Sequence, residues 1–173
     1  MEPTTEEADR LAALYLYGVL DTDFEERFDR LTRVAAAVFG TPISLISLID
    51  KDRQWFKSSL GLDVRQTARD LSFCTHAIRH PDVFIVGDAK QDPRFRANPL
   101  VTGNPHIRFY AGAPLITGRG YALGTFCVID REPRADFSAA EQALLQDFAA
   151  AVVDLFELQR TVRDAHAKTW RSA

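Results

Sequence analysis

Cys74 and Cys127 are the chain's two cysteines, and a thiol is the most adaptable nucleophile among the side chains. Cys74 stands in Ser72-Phe73-Cys74-Thr75-His76, which reads as the first turn of a short helix over 72–79 capped by Asp70 or Ser72. A helix N-terminus stabilises a thiolate, which would suit redox sensing or chromophore attachment. The competing and favoured reading is a small buried hydrophobe, the common fate of free cysteine. Cys127 lies in an apolar strand and reads as core. His76 and His80 share one helical face but lack the glutamate of H-E-x-x-H and a third ligand at a recognisable spacing. No metal site is expected. Arg94 and Arg108 could grip an anion through bidentate forks. Bracing of the loop by Asp88 or Asp92 is favoured instead, with Asp88 also capping the segment that follows it. Ser72 and His76 have no orienting carboxylate, and there is no G-x-S-x-G or P-loop. The expectation is therefore no enzyme, with thiol chemistry at Cys74 as the one opening.

The elements that must position these groups follow from periodicity. Residues 6–17 read as an amphipathic helix ended by Gly18. Asp21, Thr22 and Asp23 offer caps for a second helix over 24–39, with Phe28, Leu31, Val34, Ala35 and Val38 as its apolar stripe. The run TPISLISLI at 41–49 is apolar on both alternating sets, so both faces of this strand are covered. Residues 53–59 return as its hairpin partner. The middle, 62–103, is irregular, with a short strand at 83–86 and a turn or two of helix before Gly103. Strands at 107–115 and 121–129 form a second hairpin, with Gly112 as relief and Gly124 marking a close backbone approach or a bulge. Ser138 and Glu141 have capping-box spacing and open a long helix running toward Trp170. On it Leu144, Phe148, Ala151, Leu155, Leu158 and Val162 repeat at four and three, a heptad seam. The seam packs either on the chain's own sheet or on a second copy. Together these elements give an α+β fold, an antiparallel sheet with a helical layer.

Composition narrows the setting. The 173 residues are 46% hydrophobic and 26% charged, with net charge −3, as in ordinary globular domains. No basic field recruits nucleic acid, and no apolar run reaches the length of a membrane span. The acidic start, Met1-Glu2-Pro3-Thr4-Thr5, has no signal-peptide core, and two cysteines make no disulfide framework. A cytoplasmic setting is expected.

Several blocks, in order along the chain, resemble the GAF domain, a sensing module of bacterial signalling proteins. They are GVLDTDFEERFDRLTRVAAAVFGTPISLISLIDKDRQWFKSSLGL at 18–62, LSFCTHAI at 71–78, DAKQDPRFRANPLVTG at 88–103, IRFYAGAPL at 107–115 and YALGTFCVIDREPR at 121–134. The resemblance implies a central antiparallel sheet of five or six strands. Terminal helices would pack on one face and commonly dimerise, and short helices and loops would enclose a pocket on the other. It divides the chain into an N-terminal helix (1–20), the GAF domain (21–160) and the end of a signalling helix (161–173). Such domains usually sit upstream of histidine kinase, diguanylate cyclase or phosphodiesterase modules, and no GGDEF-type output motif is present here. The bilin-binding relatives attach chromophore through a cysteine followed directly by histidine; here Thr75 intervenes, so covalent bilin is not expected and the cofactor is unknown. A methionine-sulfoxide-reducing branch uses cysteines in a motif context absent here.

The implied ligand pocket lies where the irregular middle covers the sheet. Its candidate residues are Trp55, Phe73, Cys74, His76, Asp88, Arg94, Phe95, Asn98, Phe109 and Tyr110. The expected function is small-molecule sensing in signal transduction. It would be transmitted through a homodimer of terminal helices to a histidine kinase or diguanylate cyclase output. The alternatives are a ligand-free dimerisation or docking module, and a thiol redox sensor or reductase using Cys74.

Overall fold

The computed structural model describes residues 4–171, with side chains described for 4–168. Met1, Glu2 and Pro3 and the last two residues of the tail lie outside the described residues. Helix α1 (Thr5–Tyr17) begins at Thr4, whose hydroxyl accepts from the Glu7 amide, and ends at Gly18 in the left-handed region. Helix α2 spans Glu26–Phe39 and α5 spans Ala139–Arg171. Six strands, β1 (Ile43–Ile49), β2 (Arg53–Leu60), β3 (Gln66–Ala68), β4 (Phe84–Val86), β5 (Phe109–Ile116) and β6 (Ala122–Asp130), form one antiparallel sheet in the order β3-β2-β1-β6-β5-β4. Two short helices, α3 (Phe73–Ala77) and α4 (Pro99–Thr102), lie in the irregular middle. Among the described residues, no helix is long and apolar enough to cross a membrane.

Every residue of β1 is buried, as its two-sided apolar pattern predicts. One face of the sheet carries Ile46, Leu48, Trp55, Phe109, Phe126 and Val128 against α1, α2 and α5. The other carries Ile43, Leu45, Phe56, Tyr110, Cys127 and Ile129 against α3 and the segments around it. The register between β1 and β2 shifts after Ile46, so that Ser58 opposes Ile46 and Phe56 opposes Ser47. Lys57 is the extra residue. The bulge turns both Lys57 and Ser58 toward the helices. There the Lys57 ammonium donates to Thr22 Oγ1 and the Asp23 carbonyl and pairs with Glu25 at 2.6 Å. At Gly124 a Cβ would sit 1.8 Å from the Ser47 carbonyl oxygen, so the expected close approach is met between the two central strands.

Three sequence expectations shift. Helix α2 starts at Glu26 with no side-chain cap, because Asp21 pairs with Arg53 and Thr22 serves Lys57 and the Val19 carbonyl. Its buried stripe is Phe28, Thr32, Ala35, Ala36 and Phe39, while Val34 and Val38 face out. On α5 the residues turned to the core are Leu145, Ala149, Val152, Val153 and Phe156. The heptad seam runs beside this stripe: Phe148 stacks on Phe126 at 5.1 Å, whereas Leu144, Leu158 and Val162 are exposed. The helix carries two adjoining apolar stripes, and the heptad count selected the outer one. The capping box forms as its spacing predicts. The Glu141 amide donates to Ser138 Oγ, and the Ser138 amide donates to Glu141 Oε2 at 2.7 Å.

Helix α1 is held to the sheet by Arg10, which is buried and donates to the carbonyls of Ile49 and Ala122. Glu7 accepts from Arg10 and from Arg69, and these hydrogen bonds hold its carboxyl at about 2, below its usual 4.5. A depressed carboxyl pKa adds stability above the unfolded value and loses it as pH falls through the folded one. Glu7→Gln is therefore expected to cost about 1–2 kcal/mol at pH 7, discounted for partial exposure. Denaturant titrations should show this gap narrowing from pH 4.5 to pH 2.

Candidate functional site

Between the sheet and the irregular middle lies a cavity of about 320 Å³. Leu45, Phe56 and Ile129 floor it from the sheet, and Leu62, Leu100 and Ile107 close it from the cover. Its polar groups are Gln54, Thr67, Cys74 and Tyr110 on the regular elements and Asp63, Asn104 and Arg131 among the loops. Arg131 Nε donates to the carbonyl of Pro105, which follows a cis peptide bond after Asn104. A larger groove of about 820 Å³ runs along α1, and two of its three arginines, Arg10 and Arg69, are already paired with Glu7, while Arg79 is the third.

The cover is built from short elements because each is fixed by a polar anchor. Ser72 caps α3, its hydroxyl accepting from the Thr75 amide and donating to Gln54 Oε1 at 2.7 Å. Ser47 donates to the same oxygen at 2.9 Å, and Gln54 Nε2 donates to Thr67 Oγ1 at 3.0 Å. Gln54 thus joins β1, β2, β3 and the start of α3. Asn98 caps α4, accepting from the Leu100 amide, and its Nδ2 donates to the Leu71 carbonyl at 2.9 Å. This bond ties the two short helices together. Asp88 accepts two bonds from Arg108 at 2.7 Å, and Asp92 accepts two from Arg94. The loop-bracing reading of both arginines holds.

Of the residues expected in the pocket, Phe73, Cys74 and Tyr110 line the cavity. Phe95 stacks beneath Phe73 at 4.0 Å and forms the wall behind it. Asn98, Asp88 and Arg94 brace the cover from outside. His76 packs edge-on to Phe95 at 4.9 Å, and burial pushes its imidazole pKa down. Trp55 and Phe109 are corrections: both point to the helix-covered face, where they join the opposite core. Each has an aromatic neighbour on the cavity side, Phe56 and Tyr110, so alternation alone could not select the partner facing the ligand. Gln54 was missed, and its signal was available: a polar amide two residues before Phe56 on a strand buried on both faces must find partners. No group of three or more histidine, cysteine or acidic residues that could hold a metal occurs among the described residues.

At the inner end the Tyr110 hydroxyl donates to Cys74 Sγ at 3.2 Å and lies 3.5 Å from Thr125 Oγ1. Cys127 Sγ is 4.0 Å from Cys74 Sγ. The tyrosine ring reaches this point by lying along β5 over Gly112, where a Cβ would meet its hydroxyl at 2.2 Å. Burial pushes the Cys74 thiol pKa up, but hydrogen bonding with the Cys127 thiol and the Tyr110 hydroxyl outweighs it and leaves Cys74 below the usual thiol range. Burial and the neighbouring Cys74 push Cys127 well above it. Cys127 is therefore core, as expected, but also part of a polar cluster that the sequence did not show.

Because Gln54 Oε1 takes two buried hydroxyls, Gln54→Met should leave Ser47 and Ser72 short of an acceptor. The expected cost is about 2 kcal/mol, or roughly 4–8 °C in Tm by calorimetry.

The comparisons agree with this architecture. Residues 23–153 match the family model of the GAF domain. A cyclic di-GMP phosphodiesterase of Pseudomonas aeruginosa is 50% identical over 148 residues, covering 86% of this chain and 25% of that protein. The chain thus spans about a quarter of that relative's length. Among solved structures, the GAF domain of an Acinetobacter phosphoenolpyruvate-protein phosphotransferase superposes with TM-score 0.66 at 18% identity, over 92% of this chain and 98% of that one. The free methionine-R-sulfoxide reductase of Neisseria meningitidis, in complex with its substrate, gives 0.65 at 19% identity, over 94% and 96%. At those identities the structures speak for the fold alone. With the family model matched across most of its length and the six-stranded, doubly covered sheet in place, the chain belongs to the GAF domain family.

Proposed function

We propose that the chain is a small-molecule-sensing GAF module of a signal-transduction protein. The observation that carries this reading is the cavity of about 320 Å³, apolar on most sides with a few fixed polar groups, the usual form of a small-ligand site. Its chemistry suits a compact, largely apolar molecule with one polar end directed at Asn104 and Arg131. Binding there would act on the cover, since Leu100 and Ile107 touch the ligand space and Asn98 links α4 to the start of α3. A ligand changes the balance of two states only by binding them unequally. The output route is α5. Among its described side chains the last fully buried one is Phe156, and the helix continues through Arg171. Leu144, Leu158 and Val162 expose an apolar stripe that would pair with a second copy, in a cytoplasmic homodimer feeding a cyclic di-GMP or histidine kinase output. The relative named as a cyclic di-GMP phosphodiesterase supports such an output without assigning it to this chain.

The exposed seam also favours a second reading, a dimerisation module that holds no ligand. Native mass spectrometry of protein purified from cells separates the two. Sensing predicts a reproducible extra mass, released on denaturation and lost in Ile107→Trp, which fills the cavity. A bare dimer in both samples would favour docking alone.

A further inference from the structure

The two cysteines are 53 positions apart in sequence, yet their sulfurs lie 4.0 Å apart and both are buried. A disulfide needs about 2 Å between sulfurs, so roughly 2 Å of closure would join them. The two sides differ in freedom to move. Cys127 sits in β6, paired with Leu45 on one side and Gly112 on the other. Cys74 sits in α3, a helix of five residues in the cover. The two sides also differ in access. Cys74 lines the cavity, whereas Cys127 lies behind it. Tyr110 donates to Cys74 Sγ, a bond that favours the thiolate over the thiol.

We propose that Cys74 and Cys127 form a reversible intramolecular disulfide under hydrogen peroxide or a comparable small hydroperoxide, making the inner end of the cavity a redox-responsive site. The thiolate of Cys74 attacks one peroxide oxygen. The S–O bond forms and the O–O bond breaks. The departing hydroxide takes the proton lost from the Cys74 thiol and leaves as water. Cys127 sulfur then attacks the Cys74 sulfenic acid. The S–S bond forms and the S–O bond breaks, and the second hydroxide leaves as water with the Cys127 proton. The two thiols lose two electrons and the peroxide gains them. The product staples the cover to the central sheet and removes the thiol that Tyr110 hydrogen-bonds.

The test treats the folded wild-type chain with hydrogen peroxide, blocks remaining thiols with N-ethylmaleimide under denaturing conditions and reads the intact mass. The expected result is a monomer 2 Da lighter with no maleimide, a peptide linking Cys74 to Cys127, and full recovery with dithiothreitol. Linkage should also be at least tenfold faster than in urea-unfolded chain. In Cys127→Ala the resolving step is gone, and Cys74 should instead take up dimedone as a sulfenic acid. Retention of both thiols, oxygen added to Cys74 without a link, a link between two chains, or linkage no faster than in urea would each overturn the proposal. The wild-type result decides the matter whether or not the variant folds.

Discussion

The central strand β1 meets water on neither side. Its burial requires one chain to cover a six-stranded sheet twice. The helices α1, α2 and α5 do so on one face with continuous apolar surface, led by Phe28, Leu14 and Phe156. The other cover comes from residues 61–107, which include only short regular pieces. Irregular chain carries backbone groups that the sheet cannot satisfy, so this cover depends on side-chain anchors. Gln54, Ser72, Asn98 and the Asp88–Arg108 pair supply them. Such a cover touches the sheet at points rather than along a ridge. The space left between the points is the cavity.

The same constraint explains the cluster at the inner end. A tyrosine buried among apolar side chains must place its hydroxyl against a partner. Tyr110 does so by crossing Gly112 to reach Cys74 and Thr125. One glycine on β5 therefore leaves room for the ring to lie where it meets Cys74.

Much of the fold was legible in the sequence. The two-sided pattern of 41–49, the glycine stop at Gly18, the Ser138–Glu141 box and the close approach at Gly124 each follow from local rules. What failed were choices between adjacent faces. On α2 two apolar stripes lie side by side, and only tertiary packing selects the inner one. On β2 and β5 the pairs Trp55-Phe56 and Phe109-Tyr110 place aromatics on both faces. The Lys57 bulge then shifts the alternation along β2. The site was half legible for a similar reason. Phe73, Cys74 and Tyr110 carry recognisable context, but the Cys74–Cys127 proximity joins residues distant in sequence, and no local pattern reports it.

The central claim is that the space beneath the cover is a real, enterable chamber. Xenon tests it without knowledge of the ligand, because it enters apolar cavities of this size. Methyl-labelled protein under xenon pressure should show saturable shifts at Leu45, Leu62, Leu100, Ile107 and Ile129, which line the space. Methyls of Leu14 and Val152, packed on the helix face, should not move. Unshifted cavity methyls alongside intact folding would mean that the cover collapses onto the sheet, and the sensing account would fail.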